Sequence, residues 1–358
     1  MTLPFTAITP YPITRVPGSM PKMIWLLFCK MNRFKKMIVP NKSIKIFFNR
    51  VIGPLLFIVL SYSIYLQLLQ QPDLHRSLQH IRDAIYGSQA WKCWLAVALV
   101  FFNWLIEAGK WKLLLRPLEA ISLKHALKSV LGGLAIGINT PNRIGEYSGR
   151  ALYVGEGKRA RSVSLAVVCS FSQLLVTLFF GSLGLLFIRQ DATGWYGTAQ
   201  AGICAITLFG GCLYFRLGWI VSAARKIRLP EKWLQHFMIL QTVSVTILLR
   251  VLSLSALRYL VFLFQYILLL EVMHVHTGWW NAFWLISVLY LILAFVPTMA
   301  LLELGIRGKA GILLFQTFSV NTVGIYAASM GIWLVNLVLP ALAGGLLAIT
   351  HKIFNIKQ

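Results

Sequence analysis

The sequence predicts an all-α fold, a polytopic transmembrane helical bundle of about eight spans with re-entrant or broken helices and a possible inverted repeat. Three observations predict it. Of 358 residues, 58% are apolar or aromatic and only 12% are charged, with a mean hydropathy of +0.73. A water-soluble domain carries roughly 25% charged residues, so this chain has too little polar surface to solvate a globule. Long uncharged runs alternate with short basic loops. The charge is lopsided, 34 Lys and Arg against 10 Asp and Glu, a formal +24.

A nucleic-acid binder could carry that excess, but its basic residues would not be parted by long uncharged runs, so no nucleic-acid partner is expected. Cytoplasmic loops of membrane proteins collect Lys and Arg and face anionic lipid headgroups, which accounts for the excess more simply. The expected location is the cell (inner) membrane, multi-pass, with both termini cytoplasmic.

Residues 1–49 form a basic arm with Arg15, Lys22, Lys30, Arg33, Lys35, Lys36, Lys42 and Lys45. Its one apolar stretch, Met23 to Phe28, is too short for a signal-peptide core. It is expected to lie against the cytoplasmic membrane surface and to be the least ordered part. Met20, Met23, Met31 and Met37 leave a downstream translation start open. Residues 50–358 form the membrane domain.

A hydrocarbon core of about 30 Å needs roughly 20 apolar helical residues. Runs at 51–70, 91–108, 163–188, 196–217, 252–273, 279–299 and 328–350 reach that length. The pieces 126–140, 237–250 and 310–326 are shorter and ambiguous. Loop charge helps with the first of them. The stretch 109–128 holds Lys110, Lys112, Arg116, Lys124 and Lys128, and 141–161 holds Arg143, Arg150, Lys158, Arg159 and Arg161. Both flanks are cytoplasmic if 126–140 dips into the membrane and returns. The basic loop 216–236 falls on the same side.

Charges close to apolar sequence are costly in hydrocarbon without partners, so function is sought there. Two places resemble each other. Residues 137–150 read G-I-N-T-P-N-R-I-G-E-Y-S-G-R, and residues 295–308 read F-V-P-T-M-A-L-L-E-L-G-I-R-G. Each has an apolar run, a proline (Pro141, Pro297), a glutamate, and an arginine four residues on. Spacing of four sets Glu146 with Arg150, and Glu303 with Arg307, on one helical face where they can pair. Proline breaks the helix, and broken helices in membranes are tolerated where they line a cavity. Two such breaks in corresponding halves mark a transporter site built from repeats. One E-x-x-x-R pair alone would read as a surface salt bridge; its recurrence in a chain with ten acids favours function. Asn139 and Arg143 belong to the first stretch and join the candidate substrate-binding set.

Two further charges enter that set. Glu107 either lines the same cavity or marks the membrane edge with Trp104 and Trp111. Arg258, inside an apolar run, is expected to snorkel to the nearer surface, with phosphate binding as the other reading. Gln173 and Thr177 read as glue between helices, and Gly133 with Gly137 as a small-residue packing pair. Trp279, Trp280 and Trp284 read as interface anchors. The five cysteines read as small core residues. His274 and His276 with Glu271 are too few for a metal site. No cofactor and no catalytic residue is expected.

Asn103, Glu107 and Lys110-Trp111, then Thr140-Pro141 and Gly145-Glu146-Tyr147-Ser148-Gly149-Arg150, then Pro297 and Glu303-x-Gly305-x-Arg307 carry a likeness. With these elements in order, the chain resembles the lysylphosphatidylglycerol synthase transmembrane region, or flippase-like, family over about residues 50–350. The resemblance implies a helical membrane domain of about eight spans with re-entrant elements. In members fused to a soluble synthase domain, it implies movement of an aminoacylated phospholipid between leaflets. Here the chain ends at Gln358, soon after the last run, so lipid synthesis is not expected and lysylphosphatidylglycerol is not assured as substrate.

The function expected is lipid translocation, moving a phospholipid or other lipid-phosphate headgroup across the bilayer. The partner is a membrane phospholipid or lipid-linked substrate, and the oligomeric state is open. The alternatives are a membrane-embedded enzyme acting on a lipid-phosphate or polyprenyl-linked substrate, with Glu146 or Glu303 as base, and a scaffold for envelope synthesis.

Overall fold

The computed structural model describes residues 85–350, together with 62 and 82, leaving out 139, 189–193, 228–229 and 297–299. The basic arm and the first apolar run at 51–70 lie outside the described residues. All regular structure among those described is helical.

Five of the described helices are long and apolar enough to cross a bilayer. α1 (Ala90–Leu115) ends at Arg116, just before Pro117, where the proline ring disfavours further helix. α2 (Leu123–Gly137) is capped by Ser122, whose Oγ accepts from the His125 N–H at 3.2 Å. After a 3-10 turn at Pro141–Arg143 comes the short α3 (Gly145–Ala151). α4 (Arg159–Phe187) and α5 (Gly194–Phe215) follow, then the short α6 (Leu217–Lys226) and α7 (Glu231–Phe237). α8 (Val245–Val272) starts at a Ser244 cap and begins earlier than the apolar run at 252 suggested. α9 (Trp279–Phe295) and α10 (Ala300–Phe315) precede α11 (Thr322–Trp333), a π-helical turn (Leu334–Val338) and α12 (Leu339–Thr350).

α1 and α8 form an antiparallel pair joined by a ladder of polar contacts. At one end Lys92 donates to Glu271 at 2.6 Å. Further in, Gln265 Nε2 donates to the Ala96 carbonyl at 2.7 Å and Asn103 Nδ2 donates to Gln265 Oε1 at 2.9 Å. Deepest lies Arg258, which donates to Glu107 at 2.8 Å. α4 packs beside the pair, where Gln173 Nε2 donates to the Ser255 carbonyl of α8 at 3.3 Å, an interhelical tie of the kind expected for it. α5 is the peripheral helix; Ile206, Leu208 and Phe209 are exposed, as a lipid-facing surface requires.

The segment 126–140 does turn back. α2 and α3 pack against each other as a hairpin, and His125 Nε2, at the start of α2, lies 2.7 Å from the Tyr153 carbonyl just after α3. The loops at that mouth also meet: Glu119 pairs with Lys158 at 3.5 Å. Glycine permits the approach. A Cβ at Gly149 would sit 2.7 Å from Gly133 Cα, and one at Gly133 would sit 2.7 Å from Arg150 Cγ. Asn142 (φ 49) and Arg143 (φ 55) make the sharp turn at the tip, and Thr140 Oγ1 accepts from the Gly145 N–H there at 2.8 Å. Left-handed backbone at two successive non-glycine residues is uncommon and marks a sterically costly turn.

The run 279–299 does not form one helix of its full length. α9 has 17 residues, a rise of about 25 Å, and ends at Phe295 ahead of Pro297; α10 then leads back. The beginning of α9 (Trp280, Trp284) and the end of α10 (Leu313, Thr317) line one cleft with Phe187 and Ile188 at the C-terminal end of α4. The N-terminal end of α4 sits at the other hairpin's mouth, where Arg159 Nε donates to the Val154 carbonyl at 3.2 Å. The two hairpins therefore open at opposite ends of α4, an inverted arrangement. Their inner ends share a buried apolar cluster, in which Ile138 and Leu304 join Met330, Trp333, Leu337 and Ala341.

Candidate functional site

The site is built around Glu107 on α1. It lies about 12 Å along the helix axis from the end of α1 at Leu115. The residue is 4% exposed, and its carboxylate accepts from three cations: Arg150 at 2.7 Å, Arg258 at 2.8 Å and Lys110 at 3.0 Å. Arg150 also pairs with Glu146, one turn back on α3. The thiol of Cys169, on α4, donates to Glu107 at 3.5 Å, and Arg150 Nη1 donates to the sulfur at 3.7 Å. The guanidinium lies 5.8 Å from the Trp111 ring.

Each element has a reason to bring its side chain here. Lys110 sits three residues after Glu107, on the same face of α1. Arg150 arrives because the glycine-lined α2–α3 contact presses α3 into the bundle. Arg258 enters from α8 because antiparallel pairing sets it beside Glu107. Charges taken this far out of water cost several kcal/mol apiece unless paired and hydrogen-bonded, and this network supplies the pairing. Among the described residues, Lys110, Arg150 and Arg258 face Glu107 and Glu146, which leaves one positive charge in excess. Arg258 is the least enclosed of the three cations, its side chain 20% exposed against 0% for Lys110 and 2% for Arg150.

Of the residues singled out from sequence, Glu146, Arg150, Glu107 and Arg258 come together. Arg258 does not snorkel: the nearest carboxylate is inside the bundle, and pairing with it wins over the route to the surface. Glu107 and Trp111 are core residues and not markers of the membrane edge; Trp111 is fully buried. Arg143 forms the strained turn at the hairpin tip. Asn139 and the Glu303 side chain lie outside the described residues. Arg307 stands on the second hairpin, its guanidinium 5.8 Å from the Tyr290 ring. Among the described residues the two hairpins meet in the apolar cluster that holds Ile138 and Leu304.

Sequence reasoning missed four contributors. Lys110 counted as a loop charge, yet it is fully buried in α1. Cys169 read as inert core. Gln265, with Asn336 of the π-helical turn, was not noticed at all, although Asn103 donates to both, at 2.9 and 3.5 Å. The spacing of Asn103, Glu107 and Lys110, at i, i+4 and i+7, was the available signal for a polar stripe on one face of α1.

Among the described residues no group of three His, Cys, Asp or Glu side chains could hold a metal ion. His274 and His276 have their ring centres 6.3 Å apart. Trp279 bonds to Glu271 at the end of α8, whereas Trp284 is buried and stacked on Phe187 at 4.2 Å, part of the packing and not a simple anchor.

A family model described as the lysylphosphatidylglycerol synthase TM region matches residues 50–348. The chain belongs to this family. No curated protein matches the chain, and no solved structure does. In this lysylphosphatidylglycerol synthase TM region protein, the elements that carried the resemblance fall into two places. Glu107, Lys110 and the G-E-x-x-x-R stretch assemble the buried ion cluster, and Asn103 lies one turn from it on α1, bonded to Gln265. Glu303-x-Gly305-x-Arg307 lies on the opposed hairpin.

Proposed function

We propose that this protein is a lipid translocase that draws a phosphate-bearing lipid headgroup into the bundle and passes it between leaflets. The observation that carries the reading is the buried cluster around Glu107, with three cations and two acids among the described residues and hence one positive charge more than negative. An anionic phosphate completes that balance. Arg258, partly exposed, is the cation placed to meet it first, and a guanidinium suits phosphate oxygens bidentately. Arg150 is held by Glu107 and Glu146, which keeps a passing phosphate from being trapped on two free arginines. The opposed hairpins, both ending inside the bundle, are the parts expected to move. Arg307, on the second hairpin, offers the next cation along the route. The basic loops at the mouth of the α2–α3 hairpin face the cytoplasm, and the membrane is the cell's inner one.

The test is leaflet movement of a fluorescent phospholipid in proteoliposomes, with Arg258→Gln as the informative variant. Its loss removes the surplus charge and leaves Glu107 paired with Lys110 and Arg150. Movement should fall to the protein-free background while the purified variant keeps the thermal transition of the parent. Undiminished movement in Arg258→Gln and Arg307→Gln would remove the mechanism.

A further inference from the structure

Arg150 gives a single nitrogen to two carboxylates. Its Nη2 donates to Glu107 Oε1 at 2.7 Å and also to Glu146 Oε1, so acids from α1 and α3 compete for the same donor. The rest of the guanidinium is little used. Among the described residues Nη1 meets the Cys169 sulfur at 3.7 Å, and Nε is buried with no hydrogen-bond partner. A guanidinium fork holds a carboxylate best through two parallel bonds, and neither acid has that arrangement here.

The two acids are not equivalent. Glu107 accepts from Lys110 and Arg258 as well, and its side chain is 5% exposed. Glu146 pairs with Arg150 alone among the described residues, and its side chain is 15% exposed. Joined to it through the shared guanidinium are Glu107 and Lys110 on α1, Cys169 on α4 and Arg258 on α8. From α2 it meets glycine, since a Cβ at Gly137 would lie 3.0 Å from Glu146 Cβ. Arg143 lies three residues before it, in the turn that precedes α3. Neutralising Glu146 gives up one pairing, on a cation that keeps another acid. Neutralising Glu107 would leave three cations facing one another in a low-dielectric interior. The proton goes to Glu146.

A proton there changes what the cluster binds. Glu146 ceases to compete for Arg150, and three cations then face one charged acid. Arg150 and Arg258 sit on the two oxygens of that one carboxylate, Oε1 and Oε2, so both guanidiniums border the same place. A monoanion bound between them restores the former charge. Losing the proton reverses the step: Glu146 becomes charged, takes back Arg150 and displaces the anion. We infer that the protein carries one proton on Glu146 with each monoanion it moves, both in the same direction. This rests on the translocase reading for the cargo. A proton and a monoanion together carry no net charge, so a pH difference drives the step and a membrane potential does not.

The experiment uses the full chain in proteoliposomes with a trace of fluorescent phosphatidylglycerol, a monoanion, and reads the label in each leaflet by dithionite quenching against protein-free liposomes. With a pH difference imposed and the potential clamped by potassium and valinomycin, label should gather in the leaflet facing the alkaline side. The ratio should approach about ten for each pH unit, the value for one proton per lipid. A potential imposed at equal pH should leave the label evenly spread. Glu146→Gln should gather label on neither side, and Glu146→Asp, which keeps a titratable group, should restore part of the gradient. The parent's two responses decide the coupling even where Glu146→Gln does not fold. Label that moves in the parent but ignores the pH difference, or follows the potential, sinks the coupling and leaves the translocase standing. Accumulation that survives Glu146→Gln overturns the assignment to this residue. A parent that moves no label removes the translocase reading and the coupling with it.

Discussion

Glu107 and Arg258 lie 151 positions apart in the chain and meet at 2.8 Å inside the bundle. The carboxylate serves Lys110 and Arg150 as well, so one acid offsets part of the like charge that α1, α3 and α8 bring together.

Glu107→Ala should be the most damaging single change in the described part of the chain. It leaves Lys110 and Arg258 unpaired in a low-dielectric interior, and breaking a buried pair this way costs about 3–5 kcal/mol. The purified variant should show a sharply lowered thermal transition. Adding Arg258→Gln should recover part of the loss, because the two residues share the interaction. Strict additivity of the two changes would show that they do not.

The close helix approaches should be intolerant of bulk in a position-dependent way. A Cβ at Gly344 would fall 1.9 Å from the Leu131 carbonyl oxygen, so Gly344→Val must push α12 from α2, at about 3 kcal/mol or more. Gly109 has nothing within 4 Å of a built Cβ, and Gly109→Ala should stabilise α1 by up to about 1 kcal/mol. Thermal unfolding in detergent should move in opposite directions for the two.

Lys92 and Glu271 pair at 2.6 Å at the far end of α1, but both side chains keep partial solvent access, 19% and 23%. Lys92→Ala should therefore change stability by no more than about 1 kcal/mol. A loss comparable to that of Glu107→Ala would mean that this end of the bundle is enclosed.

Glu156, at the mouth of the α2–α3 hairpin, and Thr317, after α10, are both exposed. In a background lacking the native cysteines, Glu156→Cys and Thr317→Cys should react with an impermeant maleimide from opposite faces of the membrane. Labelling from the same face would contradict the opposed hairpins.

Much of this was legible in the residue order. Apolar run lengths located α1, α4, α5 and α8, since a helix in hydrocarbon must be apolar over its whole lipid-facing length. Charge on both flanks of 126–140 required that segment to return, and the proline with the E-x-x-x-R spacing placed Glu146 beside Arg150. The run at 279–299 misled because hydropathy measures what tolerates lipid and not where a helix stops. Arg258 misled because a lone arginine has a surface to snorkel to unless a buried acid is nearer, and no local pattern says where Glu107 is.

The sequence alone determined that the chain is a multi-pass helical membrane protein with broken helices, because composition and run length act locally against the fixed thickness of a bilayer. Only the tertiary structure decided which charges share a site. Pairing of α1 with α8 and the glycine contact of α2 with α3 bring Glu107, Arg150 and Arg258 to one point from distant parts of the chain. The free energy that keeps them charged there comes from one another, and not from their sequence neighbours.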